Sequence, residues 1–174
     1  LTIPYTIPET MPEEDRLVYA KWEAADVGYT VVDYIEGTNG TYEAQTPVKM
    51  SGRTEEKVSP VPAERTGFVT PPQLTETVKA DGSLVINYYY ARNKYTVTYV
   101  YTDNGGANTQ VEYPVYHGAG LPVFSDLEDG KVPEAEGTDF IGWSDSENGD
   151  VLDKLPETVE SDINLYAQYE NEVY

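Results

Sequence analysis

The stretch Tyr95-Thr-Val-Thr-Tyr-Val-Tyr-Thr102 alternates apolar or aromatic side chains with threonines along most of its length. A period of two is typical of a half-buried β-strand, because successive side chains point to opposite faces of a sheet. The same period occurs in residues 83–91 and again in residues 162–170. The apolar faces of these three predicted strands carry Tyr95, Val97, Tyr99 and Tyr101; Leu84, Ile86, Tyr88 and Tyr90; and Ile163, Leu165, Ala167 and Tyr169.

Helix signals are weak. No stretch of ten or more residues has a helical period, and the best short segments, residues 54–58 and 125–130, would make one or two turns each. Turn signals instead separate the strands, and Asn-Gly is typical of hairpins because both central residues of a type I′ turn need positive φ. These signals are Asn39-Gly40, Asp81-Gly82, Asn104-Gly-Gly106 and Asn148-Gly149. The predicted fold class is β-rich α+β, with mostly antiparallel or mixed sheets and little helix.

Tyrosine dominates the aromatic residues, with 16 Tyr against 3 Phe in 174 residues. A tyrosine ring buries a large apolar area, but its hydroxyl needs water or a hydrogen-bond partner. Such side chains suit half-buried sheet faces in small modules, where most positions lie near the surface.

The formal net charge is −20, and residues 93–174 contain 17 acidic but only 3 basic groups. An acidic surface repels phosphate backbones and anionic lipid, so we expect no nucleic-acid partner. Membrane insertion is not expected either, because no window approaches the ~18 apolar residues of a spanning helix. The chain has no cysteine, which is compatible with an exported protein that avoids mispaired disulfides.

Internal repetition divides the chain. Asp15-Arg-Leu-Val-Tyr-Ala-Lys-Trp-Glu23 reappears as Asp162-Ile-Asn-Leu-Tyr-Ala-Gln-Tyr-Glu170, and each copy follows Pro-Glu-Thr. In a weaker repeat, Tyr-Thr-Val precedes an Asn-Gly turn near residues 29–40 and again near 95–105. The predicted units are the closing strand of a truncated module (1–24), a complete module (27–92) and a second complete module (93–171). The joins are too short to be flexible linkers, so we expect a stiff row of modules in contact.

The last module and residues 1–24 resemble the Listeria–Bacteroides repeat, the B-repeat of internalin-type surface proteins. The matching segments are Tyr95-Thr-Val-Thr-Tyr99, Asn104-Gly-Gly106, Gly137-Thr-Asp-Phe-Ile-Gly-Trp143 and Asp162-Ile-Asn-Leu-Tyr-Ala-Gln-Tyr169. Asp139 replaces an aromatic residue of that family, and Tyr169 replaces its final Trp, which Trp22 keeps. Residues 27–92 resemble mucin-binding-protein-like (MucBP-like) repeats through Tyr29-Thr-Val-Val-Asp-Tyr-Ile35, Thr75-Glu-Thr-Val-Lys-Ala-Asp-Gly82 and Leu84-Val-Ile-Asn-Tyr-Tyr-Tyr90.

The resemblance implies β-grasp-like modules in a large surface protein of a Gram-positive bacterium, extracellular and attached to the cell wall. We therefore expect a non-catalytic repeat region that acts as the spacer of an adhesin, without a cofactor, a metal site or catalytic residues. Its expected partners are adjacent modules of the same protein and host mucin or another glycoprotein.

Other residues that could carry chemistry have simpler explanations. His117 is the only histidine, and without cysteine a zinc site would need carboxylates for its remaining ligands. The acidic run 145–150 lacks the Gly and Glu spacing of a calcium loop, and weak binding of calcium at this surface is an open alternative. Leu155-Pro-Glu-Thr158 resembles a sortase signal but is followed by Val159 and a strand, as expected of a turn within a repeat. An isopeptide cross-link between Lys94 and Asn164 is an open alternative.

Three successive tyrosines, Tyr88, Tyr89 and Tyr90, are the candidate binding residues. Strand alternation must place their rings on both faces of a sheet, so one face exposes at least one ring unless another module covers it. Contact with a neighbouring module is the first interpretation. The alternative function is direct binding of host glycoprotein or glycan through exposed tyrosines.

Two structural predictions complete the sequence-based picture. The interior of the last module should contain Tyr95, Val97, Phe140, Trp143, Leu165 and Ala167, because strand alternation groups them on one face. Residues 15–22 repeat a closing strand whose own module is missing. We expect this segment to pack on the edge of the following module, or to pair with a second molecule in a dimer caused by truncation.

Overall fold

A computed structural model describes residues 23–103, 106–124 and 137–171. These residues form eleven β-strands and no α-helix, which confirms the predicted β-rich fold with mixed sheets. No helix capable of crossing a membrane occurs among them. The strands are β1 (Asp26–Glu36), β2 (Tyr42–Ala44), β3 (Val48–Arg53), β4 (Lys57–Val58), β5 (Phe68–Val69), β6 (Glu76–Thr77), β7 (Val85–Arg92), β8 (Lys94–Thr102), β9 (Asn108–Tyr116), β10 (Thr138–Ser144) and β11 (Ile163–Asn171).

The first sheet has a parallel pair at its centre. β1 and β7 run side by side in parallel, with Thr30 opposite Val85 and Ile35 opposite Tyr90. β2 and β3 pair antiparallel along the other edge of β1, and β5 pairs antiparallel with β7. β4 and β6 form a separate antiparallel pair.

The second sheet repeats this topology with four strands in the order β10-β11-β8-β9. β8 and β11 form the central parallel pair, while β9 and β10 pair antiparallel on the outside. In both sheets, therefore, the first and last strands are parallel neighbours, and the second strand folds back on the first. The predicted hairpins at Asn39-Gly40 and after β8 are both formed.

The inner face of the first sheet is built by alternate residues of its central strands. As the sequence predicts, Leu84, Ile86, Tyr88 and Tyr90 are all buried on one face. They pack with Tyr29, Val31 and Val78.

The core of the second sheet contains most of the predicted residues. Val97 and Leu165 are fully buried, and Tyr95 and Trp143 pack partly buried against them. Phe140 is half-buried with its ring 5.3 Å from that of Trp143, and Ala167 is also half-buried. The core further contains Tyr99, Val115, Phe124 and Val159.

A β-bulge explains why Phe140 and Trp143 share a face although three residues separate them. The register between β10 and β11 shifts between Phe140 and Gly142, so Ile141 is the extra residue and is 45% exposed. Strict alternation would have placed the two aromatic rings on opposite faces. Gly142 has φ of 143°, and a Cβ at this position would lie 2.5 Å from Val151 Cγ1. The Phe-Ile-Gly-Trp sequence is therefore the bulge itself, and only glycine fits its third position.

Buried tyrosine hydroxyls hold loops over both cores. Tyr88 donates a hydrogen bond to the Pro60 carbonyl oxygen (2.5 Å) and accepts one from the Leu74 N–H (3.3 Å). In the second sheet the Tyr99 hydroxyl donates to the Pro122 carbonyl oxygen. Tyr88 and Tyr99 thus supply large apolar rings whose polar ends bond to proline carbonyls of the covering loops.

The Tyr99 hydroxyl predicts a loss of stability in alkaline solution. Burial, with a smaller contribution from Tyr113, raises the pKa of Tyr99 to about 12. Because an unfolded tyrosine ionises at about pH 10, the stabilisation is complete below that pH and is lost as the pH rises through the folded-state pKa. We expect the free energy of unfolding to fall between about pH 10 and 12. Denaturant titrations across this pH range measure the decline. If the free energy of unfolding of a Tyr99→Phe variant falls equally steeply, ionisation of Tyr99 is not the cause.

β9 forms one edge of the second sheet and contains a proline. Pro114 lies opposite Thr96, whose N–H points away from β9 and donates to Asp162 Oδ1 (2.8 Å). The pair is therefore not hydrogen-bonded, and the backbone of Pro114 faces outward from the sheet. At this position the missing N–H removes no bond from the ladder.

Some local predictions were wrong or fall outside the described residues. Residues 54–58 do not form a helical turn, because Glu55 adopts φ of 66° and the chain enters β4 at Lys57. The second helical segment, residues 125–130, and the repeat segment 1–22 lie outside the described residues, so the expected docking or dimerisation through 15–22 stays a prediction.

Candidate functional site

The three candidate tyrosines separate onto two faces of β7. Tyr88 and Tyr90 are buried in the core and cannot contact an external ligand, which corrects that part of the prediction. Tyr89 points to the opposite face and is 52% exposed. The reason is the period of two, which turns every second side chain of β7 inward.

Tyr89 is the centre of an aromatic group at the surface that we call the tyrosine platform, formed by Tyr34, Tyr42 and Tyr89. The Tyr34 and Tyr89 rings stack with centroids 4.7 Å apart and an interplanar angle of 18°. Tyr42 meets Tyr89 edge-on at 5.5 Å and is itself 41% exposed, whereas Tyr34 is half-buried. The platform is held in place because its rings come from three neighbouring strands, β1, β2 and β7.

Polar groups around the platform can form hydrogen bonds. Desolvation, followed by the charge of Glu36 and by Tyr116, raises the pKa of Tyr42. The Tyr42 hydroxyl can both donate and accept hydrogen bonds. Asn87 lies on the same face of β7, and its Oδ1 is buried without a hydrogen-bond partner among the described residues. Such a surface can stack on an apolar ring face and bond its substituents.

A second group of residues connects the two sheets where only Asn93 separates β7 from β8. We call it the junction: Glu36, Gly67 and Arg92 from the first sheet and its loops, with Tyr116 and His117 from the end of β9 and the turn after it. Arg92 Nε donates to the Glu36 carbonyl oxygen (2.8 Å), and Arg92 Nη1 donates to the His117 carbonyl oxygen (2.9 Å). The Tyr116 hydroxyl donates to Glu36 Oε1 (3.3 Å).

Backbone contacts tighten the junction further. The Asn93 N–H donates to the Gly67 carbonyl oxygen (2.9 Å), and the His117 N–H donates to the Asn93 carbonyl oxygen (2.8 Å). The His117 ring lies directly against Gly67, whose φ is 80°, so that a Cβ at Gly67 would overlap the ring. The Arg92 guanidinium lies 4.6 Å from the centre of the Phe68 ring.

The His117 ring is therefore packed between the two sheets. Its ring meets Tyr95 edge-on at 5.9 Å, and its Nδ1 is buried with no hydrogen-bond partner among the described residues. Within residues 23–103, 106–124 and 137–171, no group of His, Asp and Glu is arranged to hold a metal ion, and this includes the run 145–150.

The proposed cross-link between Lys94 and Asn164 is not formed. Asn164 lies opposite Thr98, whereas Lys94 is four residues earlier on β8, which corresponds to about 13 Å along a strand. The Lys94 ammonium instead lies 4.7 Å from the centre of the Tyr116 ring.

The sortase-like segment directly precedes a buried residue in the core of the second sheet. Thr158 forms an isolated β-bridge with Gly120, and the Val159 N–H donates to the Ala119 carbonyl oxygen (2.9 Å). Val159 is fully buried.

The sequence did not identify the remaining members of the platform or the junction. Tyr34 and Tyr42 could have been found by extending the period of two through β1 and across the Asn39-Gly40 hairpin. No such signal marks Glu36 and Arg92. They are 56 residues apart in the sequence and meet only because β1 and β7 pair in parallel.

No protein-family model matches this chain, and no curated protein is similar enough in sequence to be matched to it. The resemblance to the Listeria–Bacteroides and mucin-binding-protein-like repeats is thus neither supported nor contradicted, and it stays a prediction. The junction and the tyrosine platform are the observations from which a function can be inferred.

Proposed function

We propose that this chain is a non-catalytic spacer segment of a bacterial cell-surface protein, in which tandem β-modules form a stiff stalk outside the cell wall. The observation that carries the proposal is the Arg92 guanidinium, which bonds to carbonyl oxygens of both sheets at once. A stalk requires that successive modules hold a fixed angle, and the junction supplies contacts that can hold it.

The reason is geometric. With Asn93 alone between the strands, the sheets could still rotate about the φ and ψ angles of that residue. Three contacts oppose this rotation: Arg92 to the His117 carbonyl, Tyr116 to the Glu36 carboxylate, and the His117 ring against Gly67. Because each contact joins a different pair of residues across the junction, a rotation that preserves one of them strains the others.

Replacing Arg92 with alanine should loosen the two sheets without unfolding either. The change removes two charge-assisted hydrogen bonds, each worth about 1.5–3 kcal/mol, and leaves the Glu36 and His117 carbonyl groups without this donor. Because the chain has no cysteine, a spin label can be placed on each sheet through introduced cysteines. We expect a narrow distance distribution in the parent protein and a clearly broader one in Arg92→Ala.

Arg53→Ala is the matched control, because Arg53 is an exposed arginine in a long ion pair with Asp26 (4.0 Å). Exposed pairs contribute little, so its distance distribution should stay narrow. A broad distribution in the parent protein would refute the stiff spacer. Surface labelling of cells that produce the full protein tests its extracellular position separately.

A second candidate function is carbohydrate binding by the tyrosine platform. Exposed aromatic rings can pack against the apolar face of a sugar, while the Tyr42 hydroxyl is placed to bond its substituents. The preferred ligand is a glycan of a host glycoprotein, as the resemblance of residues 27–92 implies. The exposed rings of Tyr42 and Tyr89, with Tyr34 stacked on Tyr89, support this proposal.

Replacing Tyr89 with alanine should abolish glycan binding, because it removes the central ring of the platform. We expect Tyr89→Phe to retain most of the binding, since stacking depends on the ring. Val85→Ala is the control, as Val85 is exposed on the same face of β7. Glycan arrays and mucin pull-downs measure the effect. If the parent protein binds neither, the platform has no such ligand and the spacer proposal stands alone.

A further inference from the structure

The direction of the central strands determines how the protein responds to tension. The chain enters the first sheet through β1 and leaves it through β7, and these strands are parallel neighbours with a register of six residue pairs. It enters the second sheet through β8 and leaves through β11, which are parallel neighbours over four pairs. In each sheet the strands at the chain's entry and exit are therefore directly bonded to each other.

Parallel strands place the entry and exit points at opposite ends of the pair. In the first sheet the chain enters at Asp26 and leaves at Arg92, at the far end of the parallel ladder. Tension along the chain then pulls the two strands lengthwise past each other, so the hydrogen bonds of the ladder carry the load together. In an antiparallel hairpin both ends lie at the same end of the ladder, and the bonds open one after another.

The first sheet also has contacts that oppose sliding. At the exit end the Arg92 N–H donates to Glu36 Oε2 (2.8 Å), and its Nε donates to the Glu36 carbonyl oxygen (2.8 Å). At the entry end β1 is held on its other side by β3, with pairs from Asp26–Arg53 to Val31–Val48. The buried Tyr88 and Tyr90 rings cover one face of the ladder and shield its bonds from water.

The second sheet has a comparable contact where its parallel pair begins. The Thr96 N–H on β8 donates to Asp162 Oδ1 (2.8 Å), immediately before β11. The Tyr169 hydroxyl donates to the Thr102 carbonyl oxygen (3.3 Å) at the other end of β8. Both bonds connect the entry strand to the exit strand.

We propose that both sheets act as mechanical clamps that carry tensile load along the chain. The biological use of such a clamp rests on the proposed stalk function, since only a stalk held at both ends is placed under tension. The clamp itself is a property of the topology, and forced unfolding depends on the unfolding barrier in the pulling direction.

Single-molecule force spectroscopy on the full chain tests the clamp through two attachment geometries. Cysteine handles at Ala24→Cys and Asn93→Cys pull the first sheet lengthwise. Handles at Ala24→Cys and Ser83→Cys pull the starts of β1 and β7, which lie at the same end of the ladder, so the bonds open in sequence. At equal loading rates, the lengthwise geometry should need at least about twofold more force, because its bonds rupture together.

The two variants must also have equal thermal stability without load, so that a force difference reflects direction alone. Higher force in the lengthwise geometry supports the clamp. Equal forces in the two geometries would overturn it, and the spacer proposal would remain intact because it depends on the label distances across the junction. A broad label-distance distribution together with a strong directional difference would reject the spacer and keep the clamp.

Discussion

Replacing Trp143 with alanine is expected to lower the free energy of unfolding of the second sheet by about 3–5 kcal/mol. The ring lies at the centre of an aromatic cluster, 4.9 Å from Tyr99, 5.5 Å from Phe124 and 5.3 Å from Phe140, measured between ring centroids. Alanine would leave most of the volume of the indole empty between these rings. A loss of this size is a large part of the stability of a small module.

Denaturant titration followed by near-ultraviolet circular dichroism measures this change. Ile141→Ala is the control, because Ile141 is the extra residue of the bulge on the same strand and is 45% exposed. We expect it to cost less than about 1 kcal/mol. Equal effects of the two substitutions would mean that Trp143 is not part of the core.

Replacing Gly67 with alanine is the second change with a large expected effect, and it should separate the two sheets at the junction. The new methyl group would overlap the His117 ring, so the ring must leave its position. Alanine at φ of 80° also adds about 1–2 kcal/mol of backbone strain. We expect several kcal/mol of total loss. The label-distance distribution between the sheets should broaden more than in Arg92→Ala.

Gly106→Ala measures the backbone strain alone. Gly106 has φ of 77°, and a Cβ added there would have no atom within 4 Å among the described residues. A double-mutant cycle with His117→Ala measures the contribution of the overlap between the methyl group added at position 67 and the His117 ring. In the His117→Ala background the cost of Gly67→Ala should fall to that of Gly106→Ala. If Gly67→Ala lowers the free energy of unfolding equally in both backgrounds, contact with the His117 ring is not the reason for a glycine at position 67.

Strand identity and the facing of side chains were predictable, because the period of two is local. The sets Tyr95 to Tyr101 and Leu84 to Tyr90 lie on single faces as expected. Phe140 and Trp143 also share a face, but simple alternation is not the reason. The bulge at Ile141 adds one residue and so brings both rings to the same face. A shift in register depends on how two strands pair, and the sequence of one strand does not reveal it.

The sequence predicted that the join between the two sheets is short, but it did not predict the contacts of the junction. Arg92 contacts Glu36 and His117, 56 and 25 residues away, and neither pairing leaves a periodic trace in the sequence. The parallel pairing of the first and last strand in each sheet left no periodic signal either, because the weak Tyr-Thr-Val repeat marks only the first strand of each. The sequence predicted rings on both faces of β7, but which of the three tyrosines is exposed depends on which face of β7 covers the core.

Pro114 has a consequence for a chain in which two sheets of similar strand order follow each other. Two such sheets hold similar strands at high local concentration, and an open edge on one sheet could capture a strand of the other while the chain is still folding. The outward-facing position of Pro114 offers no N–H to such a strand, so the middle of this edge cannot continue the ladder. One residue on the rim of the second sheet thus helps this sheet to form from its own strands rather than from those of its neighbour.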